Sequence, residues 1–297
     1  MKRSALLVFI TLNAFALIGG EKVTKHKYPN IIQYEFQSLS GQEKVCTGVF
    51  VSSNTILTAG HCLVDIVECE PQKILKSSIK VYLTLDDGEK KEIEGISHFE
   101  YNPDLLEPHS LNEKGKCTRR QNPRYDLGYI VLKKKVELKA RKISFDFATS
   151  HDSLERKIKY QSIGFGHSVI TEMESQAIKY FYEYSSPIDM IGQKQVGTFF
   201  LVKQSKFYPL QTQETNYLMG KKYSSKSSQL QPGDSGGPLI NSKGEVVGIS
   251  SQYKLHDIKA EGLDFVKGYK VESFFTPLHR QENKKFLEGA RIHGSDF

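Results

Sequence analysis

The stretch Gly233-Asp234-Ser235-Gly236-Gly237-Pro238 frames a single serine with three glycines and a proline. A serine hydroxyl is a weak nucleophile at neutral pH and needs a neighbouring base. Upstream, Thr58-Ala59-Gly60-His61-Cys62 offers an imidazole, the side chain whose pKa lies nearest working pH. Between the two, Tyr125-Asp126 precedes the apolar run Leu127-Gly128-Tyr129-Ile130-Val131-Leu132. Asp65, Asp86 and Asp104 precede no such run and are poorer candidates for a carboxylate partner. Taken singly, each segment has a plain reading: a glycine-rich turn with an inert serine, a core histidine, a loop carboxylate at a strand start. Taken together they stand in the chain order His, Asp, Ser. Hydrolases that share one geometry use different orders, so the order carries information.

The rest of the chain bounds the setting. Its 297 residues are 38% hydrophobic, enough for a sizeable core in one large domain or two medium ones. Lys and Arg number 41 against 34 acidic residues, a net charge of +7. That balance suits an anionic partner or simply a well-solvated basic surface. No Lys/Arg run is interleaved with aromatics in the manner of a nucleic-acid platform. Residues 1–16 read as a secretory leader: Lys2 and Arg3, a short apolar run over 5–12, then the small-x-small site Ala14-Phe15-Ala16. The alternative, a membrane anchor, needs a longer apolar stretch than this one. Four cysteines in an exported chain suggest two disulfides, with three pairings open. Metal binding competes, but Cys46, Cys62, Cys69 and Cys117 contain no tight C-x-x-C pair.

The pattern is all-β. Short β-rich runs occur at 45–51, 55–59, 79–85, 129–132, 160–164, 179–184, 198–202 and 246–250, with turn signals such as Asp86-Asp87-Gly88 between them. Residues 278–290 differ: rich in Lys, Glu and Gln, with Phe286 and Leu287 on one apolar face, they are expected to form a terminal helix. Residues 63–78 and 102–124 break the strand rhythm as surface insertions, each carrying one cysteine. Lys114, Lys116, Arg119, Arg120 and Arg124 make the second insertion basic, either a docking surface for an acidic partner or a solvated loop.

Over nearly the whole chain after the leader, these segments resemble the chymotrypsin/trypsin-like serine proteases. The resemblance implies two antiparallel six-stranded Greek-key barrels, about 29–138 and 139–277, followed by the C-terminal helix. It assigns Ser235 as nucleophile, His61 as base and Asp126 as the carboxylate that orients it. The N–H groups of Gly233 and Ser235 are expected to form an oxyanion hole. The resemblance implies a Cys46–Cys62 disulfide beneath the histidine, which leaves Cys69 and Cys117 as partners. The disulfide common beside the serine loop is missing, since Gln231 stands there. Cleavage after Ala16 would expose Leu17-Ile18-Gly19-Gly20, similar to the start of activated family members, where the new α-ammonium pairs with the aspartate before the serine, here Asp234. The alternative is a leader that ends at Gly20 or later.

The substrate pocket departs from the family pattern. Gln229 falls where Arg/Lys-cleaving members carry an aspartate, and Tyr253 where a glycine usually keeps the pocket open. Ser251, Gln252 and Tyr253 match the pocket-lining strand, and Ser273 the opposite wall. Tyr253 either shortens the pocket, favouring small side chains, or points outward and leaves Gln229 as a neutral polar base. Ile163-Gly164-Phe165-Gly166 is similar to the family's Gly-Trp-Gly turn, with Phe in place of Trp. The resemblance implies a secreted or periplasmic monomer without metal or organic cofactor. Its partners would be protein or peptide substrates and a protein inhibitor, with no nucleic acid and no membrane after leader removal. Two rivals stand beside it. One is a catalytically silent homologue used as a binding module. The other is the serine-peptidase branch that shares the Pro-Gly-Asp-Ser-Gly-Gly run but lacks the inserted N-terminus and the histidine-loop disulfide.

Overall fold

The computed structural model describes residues 21–23, 27–84, 90–108, 110–111, 117–145, 159–166, 194–202, 210–212, 215–218, 221–224, 230, 232–259 and 267–294. Two antiparallel sheets carry most of these residues. The first has seven strands in the spatial order Lys90–Ile93, Lys80–Thr84, Ile31–Gln37, Glu43–Phe50, Thr55–Thr58, Gly128–Leu132, Ile96–Tyr101. Its central strands Thr55–Thr58 and Gly128–Leu132 are buried at every position, and accordingly read as continuous runs of Thr, Ile, Leu, Tyr and Val. Strand Glu43–Phe50 grades from charged and exposed at Glu43 and Lys44 to buried from Cys46 onward. The hairpin signalled by Asp86-Asp87-Gly88 is present as the pairing of Lys80–Thr84 with Lys90–Ile93; the turn itself lies outside the described residues.

The second sheet has nine strands. Eight follow the order Glu21–Lys22, Gln195–Val202, Lys159–Gly164, Pro238–Ile240, Val246–Lys259, Lys267–Pro277, Thr215–Leu218, Lys221–Ser224, and Leu210–Thr212 pairs with both Gln195–Val202 and Lys267–Pro277. One hairpin of this sheet is long: Val246–Lys259 and Lys267–Pro277 pair from Gly248↔Pro277 to Lys259↔Lys267, with a register shift between Ser250 and Gln252, and Thr215–Leu218 joins the edge of Lys267–Pro277. The strand expected at 179–184 lies outside the described residues.

Residues 133–145 pass from one sheet to the other as a strap held at both ends. The N–H groups of Val136 and Arg141 donate to the carbonyls of Ser53 and Phe50, and that of Ser144 to Val246. The terminal helix runs Gln281–Ile292, three residues later than expected, because Leu278 is buried at the end of the preceding strand and donates its N–H to Val247. The helix lays Leu287 and Ala290 into the core and sets Phe286 against Tyr129, ring centroids 5.2 Å apart. Asn283, fully buried, gives its amide to the carbonyls of Arg124 and Pro277 and accepts from Asn102 Nδ2, so no polar atom of its side chain is left unpaired. Among the described residues no helix is long and apolar enough to cross a membrane.

Both insertions contain structure of their own. Residues 63–78 include a two-stranded hairpin, Val64–Val67 with Glu70–Lys73, turned by Glu68 and Cys69 at φ of 49° and 74°. Residues 102–124 include the short pair Ser110–Leu111 and Cys117–Thr118. Arg119 reaches from the second insertion to donate to the carbonyl of Cys69 at 2.8 Å. Cys69 is disulfide-bonded.

Candidate active site

His61 sits in a single 3-10 turn, Gly60–Cys62, directly after strand Thr55–Thr58. The turn is tied to the neighbouring strand by the Cys46–Cys62 disulfide, as the resemblance implied. Asp126 stands just before strand Gly128–Leu132, which pairs with Thr55–Thr58 through Gly128↔Thr58. This register brings two loops 65 residues apart to the same sheet end. Asp126 Oδ1 accepts the backbone N–H of His61 at 2.8 Å, and Oδ2 lies 2.7 Å from His61 Nδ1. Asp126 is 1% exposed. Thr276 Oγ1 donates to the Asp126 carbonyl at 3.0 Å and holds its backbone from the second sheet.

Ser251 completes the carboxylate's shell. Its hydroxyl donates to Asp126 Oδ2 at 2.5 Å. The resemblance places Ser251 on the pocket-lining strand; its side chain is buried and turned to Asp126. The physical cause is a β-bulge. Pairing between Val246–Lys259 and Lys267–Pro277 shifts register between Ser250 and Gln252, leaving Ser251 unpaired and free to turn its side chain. Gln252 and Tyr253 resume pairing, opposite Phe274 and Ser273, and both are half-buried. Ser273, expected on the opposite wall, is fully buried and its Oγ accepts the N–H of Leu230 at 2.9 Å. Gln229 lies outside the described residues.

Ser235 is partly exposed, in the turn that leads into strand Pro238–Ile240. Its Oγ donates to the carbonyl of Ser251 at 3.5 Å, and no hydrogen bond joins it to His61. Ser251 thus links the groups: hydroxyl to Asp126, carbonyl to Ser235. Gly233 and Gly236 have φ of 94° and 87°, a region that L side chains rarely adopt. The Ser235 carbonyl accepts the N–H of Thr47 at 2.8 Å, and Gly236 N–H donates to Ser250. Asp234 is 1% exposed and accepts the N–H of Gly166 at 2.8 Å. A Cβ on Gly164 would fall 2.1 Å from its Oδ1, so this carboxylate fills the space that the Gly164-Phe165-Gly166 turn leaves. Leu17, its expected partner, lies outside the described residues. Cys46, His61 and Cys62 form a close ligand-type group, but both sulfurs are tied in the disulfide and offer no thiolate to a metal.

The electrostatics follow from burial and pairing. Burial pushes the His61 imidazole down, but the Asp126 charge and hydrogen bond outweigh it and raise its pKa above the ordinary histidine value. Burial pushes Asp126 up, yet the His61 charge and the hydrogen bonds from His61 and Ser251 more than offset this and hold it below the usual carboxylate range. A raised histidine pKa means that protonated His61 stabilises the folded chain. This contribution is complete below about pH 6.5 and is lost as pH rises through the folded pKa. An NMR titration of the folded protein should therefore place the His61 midpoint above 6.5, and Asp126→Asn should lower it. A midpoint unmoved by the substitution would contradict this account.

The comparisons with known proteins agree with this architecture. The trypsin family model matches residues 17–262, and the chain belongs to that family. Granzyme C of Mus musculus is 30% identical over 107 residues, which is 33% of this chain and 38% of that protein. The chain thus spans well under half the length of this curated relative. Among solved structures, that of GrC superposes with a TM-score of 0.54 at 15% identity, covering 93% of this chain and 100% of the other. The scabies mite inactivated protease paralogue S-I1 gives 0.53 at 14%, covering 93% and 100%. Human heparin binding protein gives 0.54 at 13%, covering 94% and 98%. These likenesses establish the fold: two chymotrypsin-type β-barrels with a C-terminal helix.

Proposed function

We propose that this chain is an exported serine endopeptidase. Ser235 Oγ attacks the scissile carbonyl carbon and its proton passes to His61 Nε2. The C–N bond breaks as His61 returns that proton to the leaving amine, and a water then hydrolyses the acyl-enzyme by the same route. The N–H groups of Gly233 and Ser235 stabilise the oxyanion. The observation that carries this reading is the buried Asp126 carboxylate. It grips both the backbone N–H and Nδ1 of His61 and joins Ser235 through Ser251. Such a grip fixes the tautomer that leaves Nε2 able to accept a proton.

The finer parts belong to the same proposal. Residues 1–16 are a leader whose removal frees Leu17 to pair with Asp234. The barrels divide near residue 138. Cys69 pairs with Cys117 and staples the two insertions that Arg119 already bridges. Protein or peptide chains are the substrates.

One observation favours a second reading, a silent homologue that binds without cutting: the Ser235 hydroxyl is turned to the Ser251 carbonyl and not to His61. Before substrate binds, such bonds are often long in active enzymes, and a rotation about the Cα–Cβ bond re-aims the hydroxyl. A fluorophosphonate that esterifies activated serines separates the two. The protein secreted from its own host should be labelled, and Ser235→Ala should lose the label completely. An unlabelled protein whose sequenced N-terminus is Leu17 would overturn the enzyme reading.

A further inference from the structure

We infer that Thr47 is a positioning residue for the Gly233–Ser235 turn, a clamp reaching from the first barrel into the second. The inference rests on the proposed reading of that turn as the oxyanion-stabilising element. Thr47 is fully buried on strand Glu43–Phe50, beside the disulfide cysteine Cys46. Every polar atom it owns is engaged. Its hydroxyl donates to the carbonyl of Gly233 at 2.7 Å and accepts the N–H of Phe165 at 3.1 Å. Its backbone N–H donates to the carbonyl of Ser235 at 2.8 Å, and its own carbonyl accepts from Thr58 Oγ1 at 2.9 Å. Tyr34 in turn sets the Thr58 hydroxyl, oxygen to oxygen 2.7 Å.

This pattern does more than fill a core position. The turn is fixed at both of its outer carbonyls, Gly233 and Ser235, by one residue of another strand. Gly233 has a φ of 94°, a conformation that a glycine can leave for negative φ at little cost. That φ also sets the direction of the Gly233 N–H relative to its carbonyl. Holding the carbonyl therefore opposes rotation of the N–H away from the substrate side. The same hydroxyl holds Phe165, and the next N–H, from Gly166, holds Asp234 between Gly233 and Ser235. One hydroxyl thereby fastens the turn directly and, through residues 165 and 166, a second time. Only a side chain that both donates and accepts can make this pair of contacts, which restricts the position to Thr or Ser among residues of this size.

The test compares Thr47→Val, which keeps the shape and removes both bonds, with Thr47→Ser, which keeps them. Thr47→Val should lower kcat on a peptide substrate by about 10- to 100-fold, less than the about 10²–10³ lost when an oxyanion donor is itself removed. KM should stay within about threefold, and Thr47→Ser should restore kcat to within about threefold. Equal kcat in Thr47→Val and the unaltered protein, or no rescue by serine, overturns the inference. Hydrogen exchange separates its failure from failure of the enzyme reading, because it needs no turnover. In the unaltered protein the Phe165 N–H should exchange as slowly as that of Gly166, and in Thr47→Val at least tenfold faster. Fast exchange at Phe165 in the unaltered protein overturns the clamp even if no variant folds. Slow exchange in a protein without turnover sustains the clamp and removes only the enzyme reading.

Discussion

Replacing Asp126 with asparagine is expected to lower kcat by about 10⁴-fold, roughly 5.5 kcal/mol of transition-state stabilisation, with the fold intact. The size follows from how the carboxylate is held. Oδ1 accepts the His61 backbone N–H, while Oδ2 accepts from both His61 Nδ1 and the Ser251 hydroxyl. An asparagine must keep its oxygen toward the backbone N–H, since its amide would otherwise set donor against donor. The NH₂ group then faces His61 Nδ1 and forces that nitrogen to act as acceptor. The ring proton moves to Nε2, and the position that should receive the Ser235 proton is already filled. Size and burial barely change, so the melting temperature should fall by only a few degrees. Steady-state kinetics with a peptide substrate, alongside calorimetry, provide the check. A loss below about tenfold would show that Asp126 does not set the His61 tautomer.

Legibility of the site in the sequence tracks how local each feature is. The serine turn, the His61 turn and the Asp126 loop are each written in a few adjacent residues. Their glycines and the flanking apolar strand could be read without knowing what lies opposite. The core strands were legible for the same reason: 129–132 is an unbroken apolar run because both faces are covered. What could not be read depends on topology. Ser251 meets Asp126 across 125 residues, and only because a bulge turns its side chain inward. No residue type near Ser251 announces that bulge. Thr47 meets Gly233 across 186 residues. In the sequence it is one threonine among the β-formers of its strand, and threonine is as ordinary there as valine. The one available signal is that Thr47 and Thr58 are polar residues in largely apolar runs, one next to Cys46 and the other three residues before His61. The length of the Val246–Lys259 and Lys267–Pro277 hairpin was hidden for a different reason. Residues 254–259 and 267–272 carry four lysines, one aspartate and one glutamate, so the outer arm of the hairpin lacks the apolar run that marks a core strand.

Gly236→Ala is the second large effect, this time on stability. Gly236 has a φ of 87°, and a Cβ there would lie 2.1 Å from the Thr47 carbonyl oxygen and 2.2 Å from Thr58 Oγ1. Neither atom can step aside cheaply. The Thr47 oxygen belongs to a central strand and accepts from that same Thr58 hydroxyl, which is buried and hydrogen-bonded to Tyr34 as well. The methyl must therefore push the whole serine turn away from the strand, stretching the Thr47 N–H bond to Ser235 and the Thr47 hydroxyl bond to Gly233. A left-handed alanine costs about 1–2 kcal/mol, and overpacking against fixed neighbours about 1–3 kcal/mol more. A total near 4 kcal/mol should lower Tm by on the order of 10 °C in a chain of this size. Gly41→Ala is the matched control. It also has a positive φ, 84°, but nothing lies within 4 Å of its would-be Cβ, so only the backbone cost of about 1–2 kcal/mol applies. Calorimetry on the two variants isolates the steric part. If both melt together, contact between the serine turn and strand Glu43–Phe50 is looser than these distances require, and Thr47 could not hold Gly233 as tightly as the inferred clamp demands.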